Sequence, residues 1–150
     1  MKLATALSER SDLQRRLTEL STRLNQNAKV QEGDSPAEEP EALLRETDGV
    51  LLRLEELIAR INLTNSRTVS EGESLTEKLA KRDCLGKRIT LMRSFLDAAS
   101  ARVDRYSRTE IKVHSSVSVS ALQQELDRLS KSLRELDEHI QELNWTTELQ

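Results

Sequence analysis

Apolar side chains recur every three or four residues through four long stretches of the chain, which is the spacing that lines one face of an α-helix. The first stretch, residues 2–28, predicts a helix with a leucine row from Leu3 to Leu24. The second stretch predicts a helix from about Glu41 to Asn62. Three further apolar residues widen the face of this second helix and predict burial against more than one neighbour: Leu43, Val50 and Leu57.

Two more helices are predicted in the second half of the chain. Ser74 and Glu77 have the Ser-x-x-Glu spacing that caps a helix start, and the apolar positions after them stay in phase up to Val103. The last helix begins at about Ala121 and has the most regular leucine row of the four. Two serines precede it as candidate caps: Ser118 and Ser120.

The second half of the sequence repeats the first. A shift of 72 residues places Arg10 on Arg82 and Thr18 on Thr90, identities that a helical period alone does not require. A shift of 82 residues aligns two later segments, 54–64 and 136–146. These shifts predict a duplicated helical hairpin whose second connector is longer by ten residues. Independent coiled-coil composition in the two halves is the alternative explanation.

The helix pattern predicts the fold class. We expect an all-α fold, an antiparallel bundle of long helices built from two duplicated helical hairpins, in a single domain over residues 1–150. The internal repeats cover residues 2–65 and 74–147. An extended hairpin that finds its second pair of helices in another subunit is the alternative. A wide apolar face with few aromatic residues favours a homo-oligomer.

The connector between the third and fourth helices changes from a helical period to a period near two. Its apolar residues are β-branched, as in a short strand: Ile111, Val113, Val117 and Val119. Residues 29–31 of the first connector correspond to residues 112–114 of this one. The sequence therefore predicts that these segments pair as a short two-stranded β patch at one end of the bundle.

The charge distribution limits what the surface binds. Charged residues make up 33% of the chain and the formal net charge is -3, so we expect no general nucleic-acid binding. The second connector carries a basic cluster beside Tyr106: Arg102, Arg105, Arg108 and Lys112. The cluster suits a phosphate group, or ion pairs with the acidic run that includes Glu39. Residues 78–112 are mainly basic and residues 32–73 mainly acidic, which offers opposite charges for self-association.

No set of side chains matches a catalytic or metal-binding pattern. Glu135 precedes His139 by four residues instead of the three of di-metal bundles, and no second histidine matches it on another helix. Cys84 is the single cysteine and the glycines are isolated, so neither an activated thiol nor a phosphate-binding loop is indicated. We therefore expect no metal, no cofactor and no enzymatic activity.

Short polar side chains repeat after the second and fourth apolar rows, at Asn62 and Asn65 and at Asn144 and Thr146, with Trp145 between the last two as a further candidate site residue. Helix capping is the simplest interpretation, because asparagine adopts left-handed conformations and threonine bonds free carbonyls. The alternative is a polar binding site shared between the two repeats.

The chain starts without the apolar stretch of a signal peptide and has no apolar run of about 18 residues, which predicts a cytoplasmic protein.

Four segments carry a family resemblance: Asn-Ala-Lys-Val-Gln-Glu-Gly at 27–33, Arg-Ile-Asn-x-Thr-Asn at 60–65, Asp-Arg-Tyr-Ser-Arg-x-Glu-Ile-Lys at 104–112 and Asn-Trp-Thr-Thr at 144–147. On these segments the sequence resembles a bacterial family labelled septicolysin-like, over nearly the whole chain. The resemblance implies a small protein of unknown function, and the label implies a cytolysin. It assigns no catalytic residue to any position of this sequence.

Three hypotheses of function follow from the sequence. The leading one is a non-enzymatic oligomeric helical protein that acts through protein–protein interaction. The first alternative is a membrane-active cytolysin whose hairpins open and lay their apolar rows into lipid. The second is an anion- or phosphate-binding protein or enzyme that uses the basic connector at residues 102–112.

Overall fold

The computed structural model of the chain describes residues 1–101 and 111–150. About three quarters of its described residues are helical, which confirms the predicted all-α fold of long helices with a very small sheet. The elements, in chain order, are α1 (Leu3–Gln26), α2 (Pro40–Arg67), β1 (Val69–Ser70), β2 (Glu73–Ser74), α3 (Leu75–Ser100) and α4 (Val119–Thr146).

The described residues form two compact units. The first unit comprises residues 1–76 and 141–150, and so holds α1, α2 and the sheet. The second unit comprises residues 77–140, which include most of α3 and most of α4. Each unit contains one antiparallel pair of helices, as the predicted hairpins require.

α1 and α2 pack against each other through an aliphatic core in the first unit. Leu20 of α1 is fully buried in a cluster with Leu43 and Val50 of α2. Partly buried leucines of α1 surround this cluster: Leu13, Leu17 and Leu24. The core is aliphatic because the chain has only three aromatic residues to offer.

Two ion pairs join α1 to α2, and a third joins α1 to the connector between them. Arg53 binds Glu9 at 2.6 Å and Arg16 binds Glu46 at 2.6 Å. Nearest the connector, Arg23 binds Glu38 of the connector itself at 2.5 Å. The residue numbers of the α1 partners rise from 9 to 23, while those of the residues they bind fall from 53 to 38. This is the pairing of an antiparallel hairpin. Glu38 also donates its backbone N–H to the side-chain oxygen of Asn27 at 2.9 Å, which ties the connector to the end of α1.

Acid is expected to weaken the first unit. Hydrogen bonds from Arg53 and Arg23 hold the pKa values of Glu9 and Glu38, respectively, below the ordinary 4.5. A carboxyl whose pKa is lowered by folding stabilises the fold above its unfolded pKa, and that contribution is lost as the pH falls through the folded pKa. The urea midpoint should therefore decline as the pH drops from about 5 to about 3. Glu9→Gln should flatten the decline, whereas Glu32→Gln in the connector should not; equal declines in the two variants would refute the assignment.

The last residues of the chain lie against the start of α1 and the second half of α2. Leu3 donates its N–H to the carbonyl of Thr147 at 2.9 Å, and Lys2 binds Glu148 at 2.7 Å. Gln150 donates its N–H to the hydroxyl oxygen of Thr64 at 3.0 Å. The two ends of the chain and α2 are thus joined by hydrogen bonds within the first unit.

α3 and α4 pack through a second aliphatic core. Ile89, Met92 and Leu96 of α3 are buried together with Leu126 of α4. Leucines on both helices extend this core: Leu85, Leu122, Leu129 and Leu133. The Arg16–Glu46 ion pair of the first unit has no counterpart here, because the two residues correspond to two arginines, Arg88 and Arg128, under the shifts of the repeat.

The end predicted for the second helix is wrong by several residues. α2 continues to Arg67 instead of ending near Asn62, and α4 continues to Thr146. The hydroxyl of Thr64 donates to the carbonyl of Arg60 at 2.8 Å, and Thr68 donates its N–H to the carbonyl of Thr64 at 2.9 Å, so the helical hydrogen bonds run on. Asn62 and Asn65 therefore lie within a helix and do not cap one.

The sheet lies elsewhere than the sequence predicts. Val69 pairs with Ser74 and Ser70 with Glu73, across a two-residue turn in which Glu71 has a φ of 56° and Gly72 a φ of 82°. Positive φ at both central residues is the geometry of a type I′ hairpin, and glycine adopts it without steric cost. This hairpin leads directly from α2 into α3.

The predicted pairing of the two connectors is not observed. Residues 29–31 and 111–114 form no strand, and Val119 begins α4. Ser118 accounts for that start because its hydroxyl oxygen accepts the N–H of Ala121 at 3.3 Å, as the cap prediction required. β-branched residues favour a strand only when a neighbouring strand supplies hydrogen bonds, and the described connector residues have none.

Candidate interaction surfaces

One face of α2 leaves a row of large apolar side chains in water. Leu44, Leu51 and Ile58 follow one another at seven-residue spacing and are 50%, 47% and 38% exposed. Seven residues are nearly two helical turns, so these side chains form one line along the helix. Scattered exposed leucines are ordinary on protein surfaces, but a continuous line of them is typical of an interaction site.

A row of carboxylates runs beside this apolar row. Glu41, Asp48 and Glu55 also have seven-residue spacing and are exposed. None of the three forms an ion pair within residues 1–101 and 111–150. We call the two rows together the outer face of α2: Leu44, Leu51, Ile58, Glu41, Asp48 and Glu55.

The outer face is exposed because α2 has more apolar surface than α1 covers. The buried row contains Leu43, Val50 and Leu57, each one residue before a member of the exposed row. One residue turns a helix by about 100°, so the two rows point in different directions. The predicted wide apolar face therefore exists in α2, with one row buried and the next exposed.

The row of α4 that corresponds to the exposed row of α2 is mainly buried. A shift of 82 residues places Leu44 and Ile58 on Leu126 and Ile140, which are buried. At the positions that correspond to the buried row of α2, α4 has polar residues: Glu125, Ser132 and His139. Two helices with related sequences thus bury different rows, and only α2 keeps an apolar row for another partner.

The second unit has an open groove between α3 and α4. The groove encloses about 810 Å³ and is lined by side chains of both helices. Leu91 and Leu133 give it an apolar surface, and Gly86 also lines it, where an added Cβ would meet no atom within 4 Å. A neighbouring depression of about 500 Å³ adjoins it and shares Gly86 and Leu133 with it.

The rim of this groove is mainly cationic. Lys87 lines the groove, and Arg93 and Arg134 line the adjoining depression. These three cations are exposed and have no ion-pair partner in the described part of the chain. Arg82 differs, since it lies 3.4 Å from Asp83 and 3.5 Å from Asp137. We call this feature the α3–α4 groove, with Lys87, Arg93 and Arg134 as its rim cations.

Comparison with known proteins shows the family. A model described as a family of unknown function, DUF6847, matches residues 10–149. The chain belongs to DUF6847. A crystal structure described as a functionally unknown conserved protein from Corynebacterium diphtheriae is similar to the DUF6847 chain, at 46% identity and a TM-score of 0.92, covering 100% of this chain and 99% of the other. None of the curated proteins compared with the chain matches it. Neither match carries the septicolysin-like label.

The basic connector contributes little to the described surface of this DUF6847 chain. Arg102, Arg105, Tyr106 and Arg108 lie outside the described residues. Lys112 is described, is exposed and belongs to no element. The predicted phosphate-binding role of the cluster therefore stays a prediction.

The repeated polar residues all lie in the first unit of the DUF6847 chain, in different environments. Asn62 is exposed, Asn65 is half-buried and Asn144 is buried. Trp145 is 65% exposed, and Thr146 is exposed and donates its hydroxyl to the carbonyl of Glu142 at 2.8 Å. The shared polar site stays a prediction. The sequence analysis did not single out Thr64. Its seven-residue spacing from Leu57 continues the buried row of α2 and could have indicated that Thr64 is buried.

Metal-binding and membrane-spanning features are absent from the part of the DUF6847 chain that the structure describes. Within residues 1–101 and 111–150, no three histidine, cysteine or acidic side chains are placed to hold a metal ion. No helix among these residues is long and apolar enough to cross a membrane. Cys84 is a free, exposed thiol on α3.

Proposed function

We propose that this chain is a non-enzymatic protein that acts through protein–protein interaction, as a homo-oligomer joined by its helix surfaces. The observation that supports this is the outer face of α2. Its exposed apolar row is continuous over three positions, and its carboxylates have no ion-pair partner in the described residues. A surface that combines both features favours a partner that covers the row and neutralises the charge.

Magnitudes show what the apolar row contributes. Full burial of a leucine or isoleucine is worth about 1.5–3 kcal/mol, so covering three that are about half buried already contributes about 2–4 kcal/mol in all. Association costs about 4–15 kcal/mol in lost translational and rotational freedom. The row alone does not hold an oligomer together. The surface that covers it must add further apolar contacts and opposite charge.

The test is the molar mass of variants in solution, measured by sedimentation velocity. Leu51→Glu places a charge in the middle of the exposed row and should weaken association by about 30-fold or more, as loss of an interface hot spot does. Val30→Glu is the matched control, because Val30 is 51% exposed in the first connector and lies outside α2. Association that is equally strong in both variants would contradict the proposal.

The two alternative hypotheses have tests of their own. Leakage of dye from liposomes on addition of the chain would support the septicolysin-like, membrane-active alternative. Weakened phosphate binding in the Arg105→Ala and Arg108→Ala variants would support the anion-binding alternative. A cytoplasmic location is part of our proposal and agrees with an exposed thiol at Cys84, which a reducing compartment preserves. Cell fractionation tests the location.

A further inference from the structure

We infer that the outer face of α2 docks into the α3–α4 groove of a second copy of this chain. The inference rests on the proposed function, because it names the partner and the surface of the same oligomer. It is carried by two unpaired charged surfaces of opposite sign, each combined with exposed apolar side chains. One surface belongs to the first unit and the other to the second, so every copy has both.

The charges of the two surfaces are complementary in sign. Successive carboxylates of the outer face are seven residues apart, or about 10.5 Å along the helix at 1.5 Å per residue. Lys87 and Arg93 of the groove are six residues apart on α3, or about 9 Å. Six residues turn a helix by about 600°, which leaves Lys87 and Arg93 about 120° apart around α3, one on each side of Gly86 and Thr90. A carboxylate row that lies over Gly86 and Thr90 therefore has a cation on each side. Arg134 of α4 supplies a third cation on the opposite side of the groove.

The shape of the groove suits a helix. Gly86, which has no side chain, lines the groove, and Thr90 and Ser94 follow at four-residue spacing along the same side of α3. Small side chains let a second helix approach closely, so that its leucines reach the walls. Leu91 is 68% exposed beside this line, and Leu133 stands opposite on α4. Both are available to cover an apolar row such as that of α2.

The charges also decide which pairing of copies is favoured. Two outer faces packed together would oppose carboxylate with carboxylate, and two grooves would oppose cation with cation. Like charges placed together across an interface disfavour the complex. The pairing of one outer face with one groove avoids this. Such an interface is heterologous, so each copy uses one surface to bind the copy before it and the other to bind the copy after it.

Charge reversal tests the pairing. The first double variant, Asp48→Lys with Glu55→Lys, makes both surfaces basic. The second, Lys87→Glu with Arg93→Glu, makes both acidic. Each should lower association about tenfold or more, measured as the dissociation constant by sedimentation velocity at low salt. The quadruple variant carries all four changes and should recover association, because its surfaces are again opposite in sign.

A matched control and the possible outcomes make the test decisive. Glu32→Lys with Asp34→Lys reverses two exposed carboxylates of the first connector and should leave association unchanged. Circular dichroism checks that every variant is helical. If the unmodified chain associates but the double variants associate equally well, or the quadruple variant stays weak, the groove assignment is wrong and the proposed function stands. If the unmodified chain never exceeds the mass of one chain, the proposed function fails as well.

Discussion

Replacing Leu20 by alanine should lower the free energy of unfolding by about 2–5 kcal/mol. Leu20 is fully buried, and its side chain joins Leu43 and Val50 of α2 at the centre of the first core. The substitution removes that contact and leaves a cavity between two helices that the register of their ion pairs holds in place. The surroundings therefore relax only partly, and both terms of the loss apply.

Urea unfolding at one fixed protein concentration measures this effect, because the stability of an oligomer depends on concentration. Gln14→Ala is the control, since Gln14 is exposed on the same helix and its loss should change stability by no more than about 0.5 kcal/mol. Similar midpoints for the two variants would show that α1 does not bury Leu20 as described.

Replacing Thr64 by valine should lower the free energy of unfolding by about 1–3 kcal/mol. Thr64 is fully buried, and its hydroxyl both donates to the carbonyl of Arg60 and accepts the N–H of Gln150. Valine has nearly the same shape, so the packing stays while both hydrogen bonds are lost. At about 0.5–1.5 kcal/mol net for each bond, the two together account for the expected loss.

The matched control for this variant is Thr18→Val. Thr18 donates to the carbonyl of Gln14, the same helical bond that Thr64 makes, but it is exposed and accepts nothing from the end of the chain. Its loss should therefore cost little. Amide hydrogen exchange should also accelerate at residues 148–150 in Thr64→Val and not in Thr18→Val. Unchanged exchange there would contradict the role given to Thr64.

The helical period predicts most of this fold and only part of its surface chemistry. Four apolar rows in the sequence correspond to four helices, and the cap at Ser118 follows from a rule of local hydrogen bonding. The end of α2 does not follow, because Asn62 and Thr64 are residues that favour helix ends. Here the hydroxyl of Thr64 bonds within the helix and to Gln150, a residue far away in sequence.

The candidate surface was the hardest feature to predict, for a reason visible in α2 itself. Val50 belongs to the buried row and its neighbour Leu51 to the exposed row, yet both rows are apolar at successive seven-residue positions. A sequence pattern shows that such a helix has too wide a face, but it does not show which row another helix covers. In α4 the pattern does distinguish the two rows, because the row that corresponds to Leu43 and Leu57 of α2 contains Glu125 and His139.

The central claim is that copies of this chain associate through surfaces of opposite charge. The most direct measurement is the molar mass of the unmodified chain by sedimentation equilibrium, over a range of protein concentrations at low and at high salt. We predict a mass above that of one chain at low salt, which falls on dilution and falls further as salt screens the charges. The mass of a single chain at every concentration in low salt would contradict the account.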